Sequence, residues 1–391
     1  MRVKTLETFL VNAGLRNYLF LRLTTDQGLT GIGEASLEWQ EQTVQTLIHE
    51  LLEERYVIGC DPFDVEELVA RMIRDQYQGG STVMTAISGI EIALWDIIGK
   101  DCGKPIYQLI GGRCHERIPA YANGWYGGAR TPEDYATQAK EVVRRGYTAL
   151  KFDPFGVAWK ILSRSELQNA ASLVEGVRKA VGENVEVMIE GHGRFNVETA
   201  VMVDRVLRPY NPAWFEEPVP SDNIHLMKEA KARIESPVAG GERLYSIPDF
   251  YHLVSQRAAD IIQMDLAHCG GILAGKKIAA IASAEDLLVA PHCSIGPVAL
   301  AAALHFDLST PIFAVQEAFQ EFDVPWSRAL VGGWSPIRDG YFHLGDEPGL
   351  GLDIDLQEIS KHPYKKDSFP SLWDKRWYEE FTSRKSPATP R

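Results

Sequence analysis

The stretch Val187-Met188-Ile189-Glu190-Gly191-His192-Gly193-Arg194 runs from an apolar, strand-like segment straight into an acid, a glycine and a histidine. Similar endings recur as Trp214-Phe215-Glu216, Ala239-Gly240-Gly241-Glu242, Ile262-Gln263-Met264-Asp265, Val289-Ala290-Pro291-His292 and Ala314-Val315-Gln316-Glu317. Positions 190, 216, 242, 265, 292 and 317 step by 26, 26, 23, 27 and 25 residues. One strand, one helix and two short loops consume about that many residues. The spacing predicts a β/α barrel whose strands each deliver a polar residue to one mouth.

Working outward, strict strand–helix alternation starts near Ile118, with strands ending near Asn123, Asp153, Glu190, Glu217, Glu242, Asp265, His292 and Glu317. Helical periodicity fills the gaps, for example over 133–145, 166–181, 197–207, 272–284 and 298–304. Beyond Glu317 the run Asp323-Val324-Pro325-Trp326 is too broken for an eighth helix, giving a (β/α)7β barrel. Upstream, three alternating segments within 1–34 precede helical patterns over 41–52, 65–74 and 85–98. That order is α+β and reads as a separate capping domain. The domains are expected at 1–115 (cap), 116–333 (barrel) and 334–391 (a C-terminal segment packing back on the cap). A hairpin strand around 339–344 and a loop at Pro348-Gly349-Leu350-Gly351 fall in that last segment, and its aromatic tail (Trp373, Trp377, Tyr378, Phe381) is expected on the N-terminal domain.

Composition narrows the function classes. With 391 residues, 45% hydrophobic and 24% charged, the chain is an ordinary globular protein large enough for two domains. A net charge of −13 leaves no basic footprint for nucleic acid or an anionic membrane. Five cysteines (60, 102, 114, 269 and 293) without a CxxC pair argue against a disulfide framework or structural zinc. No basic-then-apolar leader opens the chain, and no uninterrupted apolar run approaches the roughly 18 residues of a membrane span. A cytoplasmic, homo-oligomeric enzyme acting on a small molecule is the expectation.

Active residues in such barrels come from the C-terminal ends of strands. Glu190, Glu216 and Glu242 close three successive strands, and three converging carboxylates repel unless a cation joins them. An oxygen-only ligand set suits Mg²⁺; pairing with Arg194, Arg243 or Lys151 is the alternative. Asp265 and His292 end neighbouring strands, so an aspartate could orient an imidazole that works as a general base. The plainer option is a buried hydrogen bond that only fixes loops. His192 lies two residues beyond Glu190 between glycines, and alternation sends both side chains to one side, as a second acid/base group or a further ligand. Lys151 could bind a substrate carboxylate or offset enolate charge. Glu317, if protonated by its acidic surroundings, could hydrogen-bond substrate. His268 could reach the site. His49, His225 and His252 fall on helices and His305 in the core; Lys276 and Lys277 read as solvated, and Gly270-Gly271 lacks the rest of a phosphate-binding loop.

These residues resemble a known family. The chain is similar to the enolase superfamily, mandelate racemase subgroup, and within it to galactonate dehydratase-like sugar-acid dehydratases. The resemblance rests on Gly31-Ile32-Gly33-Glu34, Ala93-Leu94-Trp95-Asp96, His192-Gly193-Arg194, Phe215-Glu216-Glu217-Pro218, Gly241-Glu242-Arg243-Leu244, Asp265-Leu266-Ala267-His268, Ala290-Pro291-His292-Cys293 and Pro348-Gly349-Leu350-Gly351. It implies that Glu190, Glu216 and Glu242 hold Mg²⁺, that His292 with Asp265 removes the proton α to a carboxylate, and that His192 protonates the departing 3-hydroxyl. Glu317 would hydrogen-bond a substrate oxygen, and the product would be a 2-keto-3-deoxy acid from a five- or six-carbon aldonate or aldarate. Arg16, Asn123, Lys151, Asp153, Arg194 and His268 are the expected substrate contacts, with lid loops near 16–17 and 61–62. Glu190 departs from the aspartate of the galactonate enzymes, and Asp153 stands where racemases carry a second catalytic lysine. Dehydration is thereby favoured over racemisation or epimerisation; a non-catalytic metal- or sugar-acid-binding homologue is the third reading.

Overall fold

A computed structural model describes residues 1–366 apart from 15 and 78, together with 372 and 373. The N-terminal sheet is a three-stranded antiparallel meander of β1 (Val3–Asn12), β2 (Asn17–Thr25) and β3 (Thr30–Glu34). Against it lie α1 (Glu41–Leu47), continued by a π-helical stretch Ile48–Val57, and α3 (Ser81–Asp101), with α2 (Val65–Asp75) packed on α3. α3 is apolar on nearly every side because it is enclosed on nearly every side. By length and hydropathy it could cross a membrane, yet 89% of that window is buried within the protein, as expected of a core helix. A short helix, α4 (Ile106–Leu109), leads into the barrel.

Eight parallel strands follow: β4 (Ile118–Ala122), β5 (Ala149–Phe152), β6 (Glu186–Glu190), β7 (Phe215–Glu216), β8 (Val238–Gly240), β9 (Ile261–Ile262), β10 (Leu288–Val289) and β11 (Gln316–Ala318). Each pairs with the next up to β10, and β11 pairs with β4. Val289 closes the ring, donating from its amide to Ile312 and accepting from that of Ala314. Seven helices alternate with the strands: α5 (Pro132–Arg144), α6 (Arg164–Val181), α7 (Val197–Leu207), α8 (Ile224–Arg233), α9 (Ile247–Ser255), α10 (Ile272–Ala284) and α11 (Pro297–Leu308). Side-chain caps from Thr131, Ser163, Asn196, Asn223 and Ser246 start the first five, each accepting from the third helical amide.

The last two helices are capped differently. Both α10 and α11 follow glycine and lack a side-chain cap of their own. The capping domain supplies one. Glu91 of α3 accepts from the amides of Ile272 (2.8 Å) and Leu273 (2.9 Å), and Glu34 of β3 accepts from Gly296 (2.7 Å), Val298 (3.1 Å) and Ala299 (2.9 Å). Gly271 has φ +92°, and a Cβ there would collide with the Glu91 carboxylate. Gly271 thus makes room for a carboxylate from the capping domain, while a Cβ at Gly270 would press on Ala274 and Met84. Burial pushes both Glu34 and Glu91 up to about 7, against the hydrogen bonds that favour their charge.

The C-terminal segment divides its contacts. A hairpin of β12 (Ile337–Arg338) and β13 (Tyr341–Phe342) adds to β4 of the barrel. Next, Leu350 donates to Asp96 of α3, His362 accepts from the amide of Asn12, and Asn17 donates to Lys365, so residues 349–365 do lie against the cap. Of the aromatic tail expected on the N-terminal domain, Trp373 is described, and it lines the cavity that 37–40 of the cap also line. It packs on Trp159 (4.8 Å between ring centroids) and against the Arg194 guanidinium, beside the barrel mouth. Trp377, Tyr378 and Phe381 lie outside the described residues.

Candidate active site

The C-terminal ends of the barrel strands open into a cavity of about 420 Å³. Its floor is acidic. Ligand oxygens of Glu190, Glu216 and Glu242 lie within 4.8 Å of one another, the first two buried and the third half-buried towards the cavity. Oxygen donors at that separation fit a hard divalent cation better than a soft one. Lys151 now stands among them, 3.0 Å from Glu190, in contact with Glu216 and 3.4 Å from Glu317. The three oxygens converge, while Glu190 and Glu216 pair with Lys151 and Glu242 lies 3.5 Å from Arg243. Burial and the neighbouring Glu190 push the Glu216 carboxyl up to about 8 despite Lys151. A bound cation would oppose that push. Trp214 and Gln263 both donate to Glu216 Oε2, fixing its orientation from below.

Two histidine–aspartate pairs flank this floor. His292 Nδ1 is 2.8 Å from Asp265 Oδ2, and its Nε2 lies 3.6 Å from Glu242 and 3.9 Å from Glu317. Burial alone would favour neutral imidazole; Glu242, the Asp265 hydrogen bond and Glu317 outweigh it, and the His292 pKa rises well above its ordinary value. Asp265 is fixed in turn by the amide of Ala267 (2.8 Å) and lies 3.6 Å from His268. Those contacts, with His292, keep its carboxyl below the usual range although it is buried.

On the other side, His192 Nδ1 is 2.8 Å from Asp153 Oδ2. His192 and His292 follow β6 and β10, the third and seventh of eight strands, and so face each other across the barrel axis. Strand alternation is not what aims His192. β6 ends at Glu190, and His192 sits in a turn at φ +49°, its amide donating to Glu190 Oε1 (2.7 Å). A non-glycine residue held left-handed beside a ligand set is the kind of local strain that functional sites carry.

Four sequence expectations need correction. Arg194 is not a substrate contact: only 1% exposed, it is spent on Gly191 O, Gly156 O and Asp153, and it does not line the cavity. Asp153 does line the cavity, but its oxygens are taken by His192, Arg194 and the amide of Phe155, so it serves its neighbours. Glu317 is not pushed towards protonation by its surroundings. Burial opposes its charge, but Lys151, His292 and hydrogen bonds from Cys293 N and Asn123 Nδ2 hold its carboxyl below the usual range. The 61–62 loop is no lid; Asp61 caps a short turn and Pro62 is buried away from the cavity.

Arg16, Asn123, Lys151 and His268 do line the cavity. His268 is also tied to the Ser36 carbonyl at 2.8 Å, and Arg16 to the Ser294 carbonyl and, at 3.8 Å, to Glu38. The second cap segment lining the cavity is instead 37–40, and further walls come from Tyr126, Phe319 and Trp373. Sequence gave no periodic or charge signal for these. Arg243, expected only as an ion-pair partner of the glutamates, joins Glu217 (3.2 Å) to the His192 carbonyl (3.0 Å).

Comparison with known proteins decides the family. Residues 6–111 match the mandelate racemase/muconate lactonizing enzyme N-terminal domain, and residues 134–359 the enolase C-terminal domain-like family. The chain belongs to the enolase superfamily, mandelate racemase subgroup. Among its superfamily relatives, the D-gluconate/D-galactonate dehydratase of Picrophilus torridus is 36% identical over 88% of each chain. The D-galactonate dehydratase of Pectobacterium atrosepticum is 35% identical over 88% of this chain and 90% of its own. A mandelate racemase/muconate lactonizing enzyme structure from Sulfitobacter superposes with a TM-score of 0.87 at 32% identity, covering 93% of this chain and 96% of that one.

Proposed function

We propose that this enolase-superfamily protein is a sugar-acid dehydratase that removes the α-proton of a polyhydroxy acid and expels its 3-hydroxyl as water, giving a 2-keto-3-deoxy acid. The reading is supported above all by two histidine–aspartate pairs set on opposite sides of one carboxylate cluster. Relatives named for D-gluconate and D-galactonate dehydration agree with it. Those two acids share configuration at C2 and C3 and differ at C4, so both are test substrates.

Glu190, Glu216 and Glu242 are the residues that would hold Mg²⁺, which when bound would neutralise charge gathering on the substrate carboxylate. With a cation drawing the charge of Glu242 away from it, His292 would be free to take the C2 proton on Nε2, with Asp265 and the charged Glu317 supporting the imidazolium that results. His192 delivers a proton to the departing oxygen from the opposite side. Lys151 adds positive charge beside the developing enediolate. Arg16, Asn123 and His268 face the rest of the substrate. The cytoplasmic setting and homo-oligomeric state expected from sequence complete the proposal.

The test is a panel of aldonates and aldarates assayed for 2-keto acid. D-Gluconate or D-galactonate is expected to turn over, with activity lost in EDTA and restored by Mg²⁺. Absence of product from every member would sink the proposal. Two histidines facing one α-carbon also suit epimerisation; in D₂O, deuterated and inverted substrate recovered without water loss would favour that alternative.

A further inference from the structure

The Asp153 carboxylate, which lines the cavity, has three partners. Oδ1 accepts from Phe155 N (2.9 Å), while Oδ2 meets both His192 Nδ1 (2.8 Å) and Arg194. Arg194 is itself anchored to Gly156 O (2.7 Å) after β5 and Gly191 O (3.0 Å) after β6. The aspartate–arginine contact therefore ties the loop that follows β5 to the turn that carries His192. That turn needs such a tie, because His192 stands at φ +49° with its side chain 24% exposed to the cavity. With Nδ1 engaged by Asp153, Nε2 is the nitrogen left for the cavity.

We infer that Asp153 is a positioning residue for the elimination half of the reaction: it fixes His192 so that Nε2–H points at the leaving oxygen, with Arg194 holding Asp153 in turn. This rests on the dehydratase reading above. In the step concerned, the C2–H electron pair forms the enediolate as His292 takes the proton. That pair then becomes the C2–C3 double bond as C3–O breaks, and the His192 Nε2 proton goes to the departing oxygen, which leaves as water. Asp153 acts on this reaction through His192, so its removal is expected to affect the second event and not the first.

The experiment compares the intact Mg²⁺-loaded enzyme with Asp153→Asn on a substrate found in the panel, following C2 deuterium uptake from D₂O and 2-keto acid formation separately. A 3-deoxy-3-fluoro analogue is run beside it, since fluoride leaves with less help from an acid. In Asp153→Asn, elimination of water is expected to fall by about 10²-fold or more, within the range a general acid contributes. Deuterium uptake should persist, and the deficit should shrink on the fluoro analogue. Asp153→Glu, which keeps a carboxylate opposite Arg194, should recover part of the elimination rate. Equal loss of exchange and elimination, an equal deficit on both leaving groups, or unchanged turnover in Asp153→Asn would each overturn the inference. A wild-type enzyme inert on the whole panel would instead overturn the dehydratase reading itself.

Discussion

Lys151 carries the electrostatic balance of the site. Its ammonium is buried among Glu190, Glu216 and Glu317, so one positive charge offsets three acids where water is scarce. Removing one partner from such a buried set costs about 3–5 kcal/mol because the others are left uncompensated. Lys151→Met is expected to destabilise the metal-free protein by that order in denaturant unfolding, and Mg²⁺ is expected to recover much of the loss. Equal loss with and without Mg²⁺ would mean that cation and lysine do not share this charge. The key residues here were legible because each closes an apolar run: Glu190, Glu216, Glu242, Asp265 and His292 fall at a steady period. Partnership was harder to read. Nothing in the spacing of Asp153, His192 and Arg194 tells that they meet, because a left-handed turn brings them together.

The helices differ in who starts them. α5 to α9 carry serine, threonine or asparagine caps that the sequence displays, and the helices read from sequence over 133–145, 166–181 and 197–207 match to within two residues. α10 and α11 open on Gly271 and Gly296, where no local cap can be read, since the caps lie 180 and more residues away on Glu91 and Glu34. These acids also set a pH dependence. Glu91 sits at about 7 when folded against 4.5 as a free side chain. Between those values the folded protein keeps a proton that the unfolded chain has lost, so this contribution to stability falls as pH rises from 4.5 to 7 and is flat beyond. Urea midpoints at pH 5 and 7.5 are expected to differ less in Glu91→Gln than in the wild type. An unaltered slope would show that Glu91 does not titrate in this window.

For the whole molecule, alternation along the chain disclosed the barrel, and three strands followed by three helices disclosed the cap. The course of the C-terminal segment was less legible, because short loops bound by backbone hydrogen bonds leave little periodicity. A ligand that binds only the folded state stabilises by RT ln(1 + [L]/Kd), about 2.7 kcal/mol at a hundredfold excess over Kd. Thermal unfolding should therefore rise with Mg²⁺ concentration, and Glu242→Gln should blunt the rise; an Mg²⁺-independent transition would argue against the three-glutamate site. The Glu34 and Glu91 caps bear on how such enzymes can be rebuilt. Glu34 is followed within four residues by Ser36, whose carbonyl holds His268, and Glu38, which lines the cavity. Grafting β3 and the 37–40 segment of a relative together to change substrate preference would thus also replace the group that starts α11, while Glu91, on α3, lies outside such a graft. A chimera should be cut after Glu34 and before Leu37, so that new specificity arrives without unfastening the scaffold beneath it.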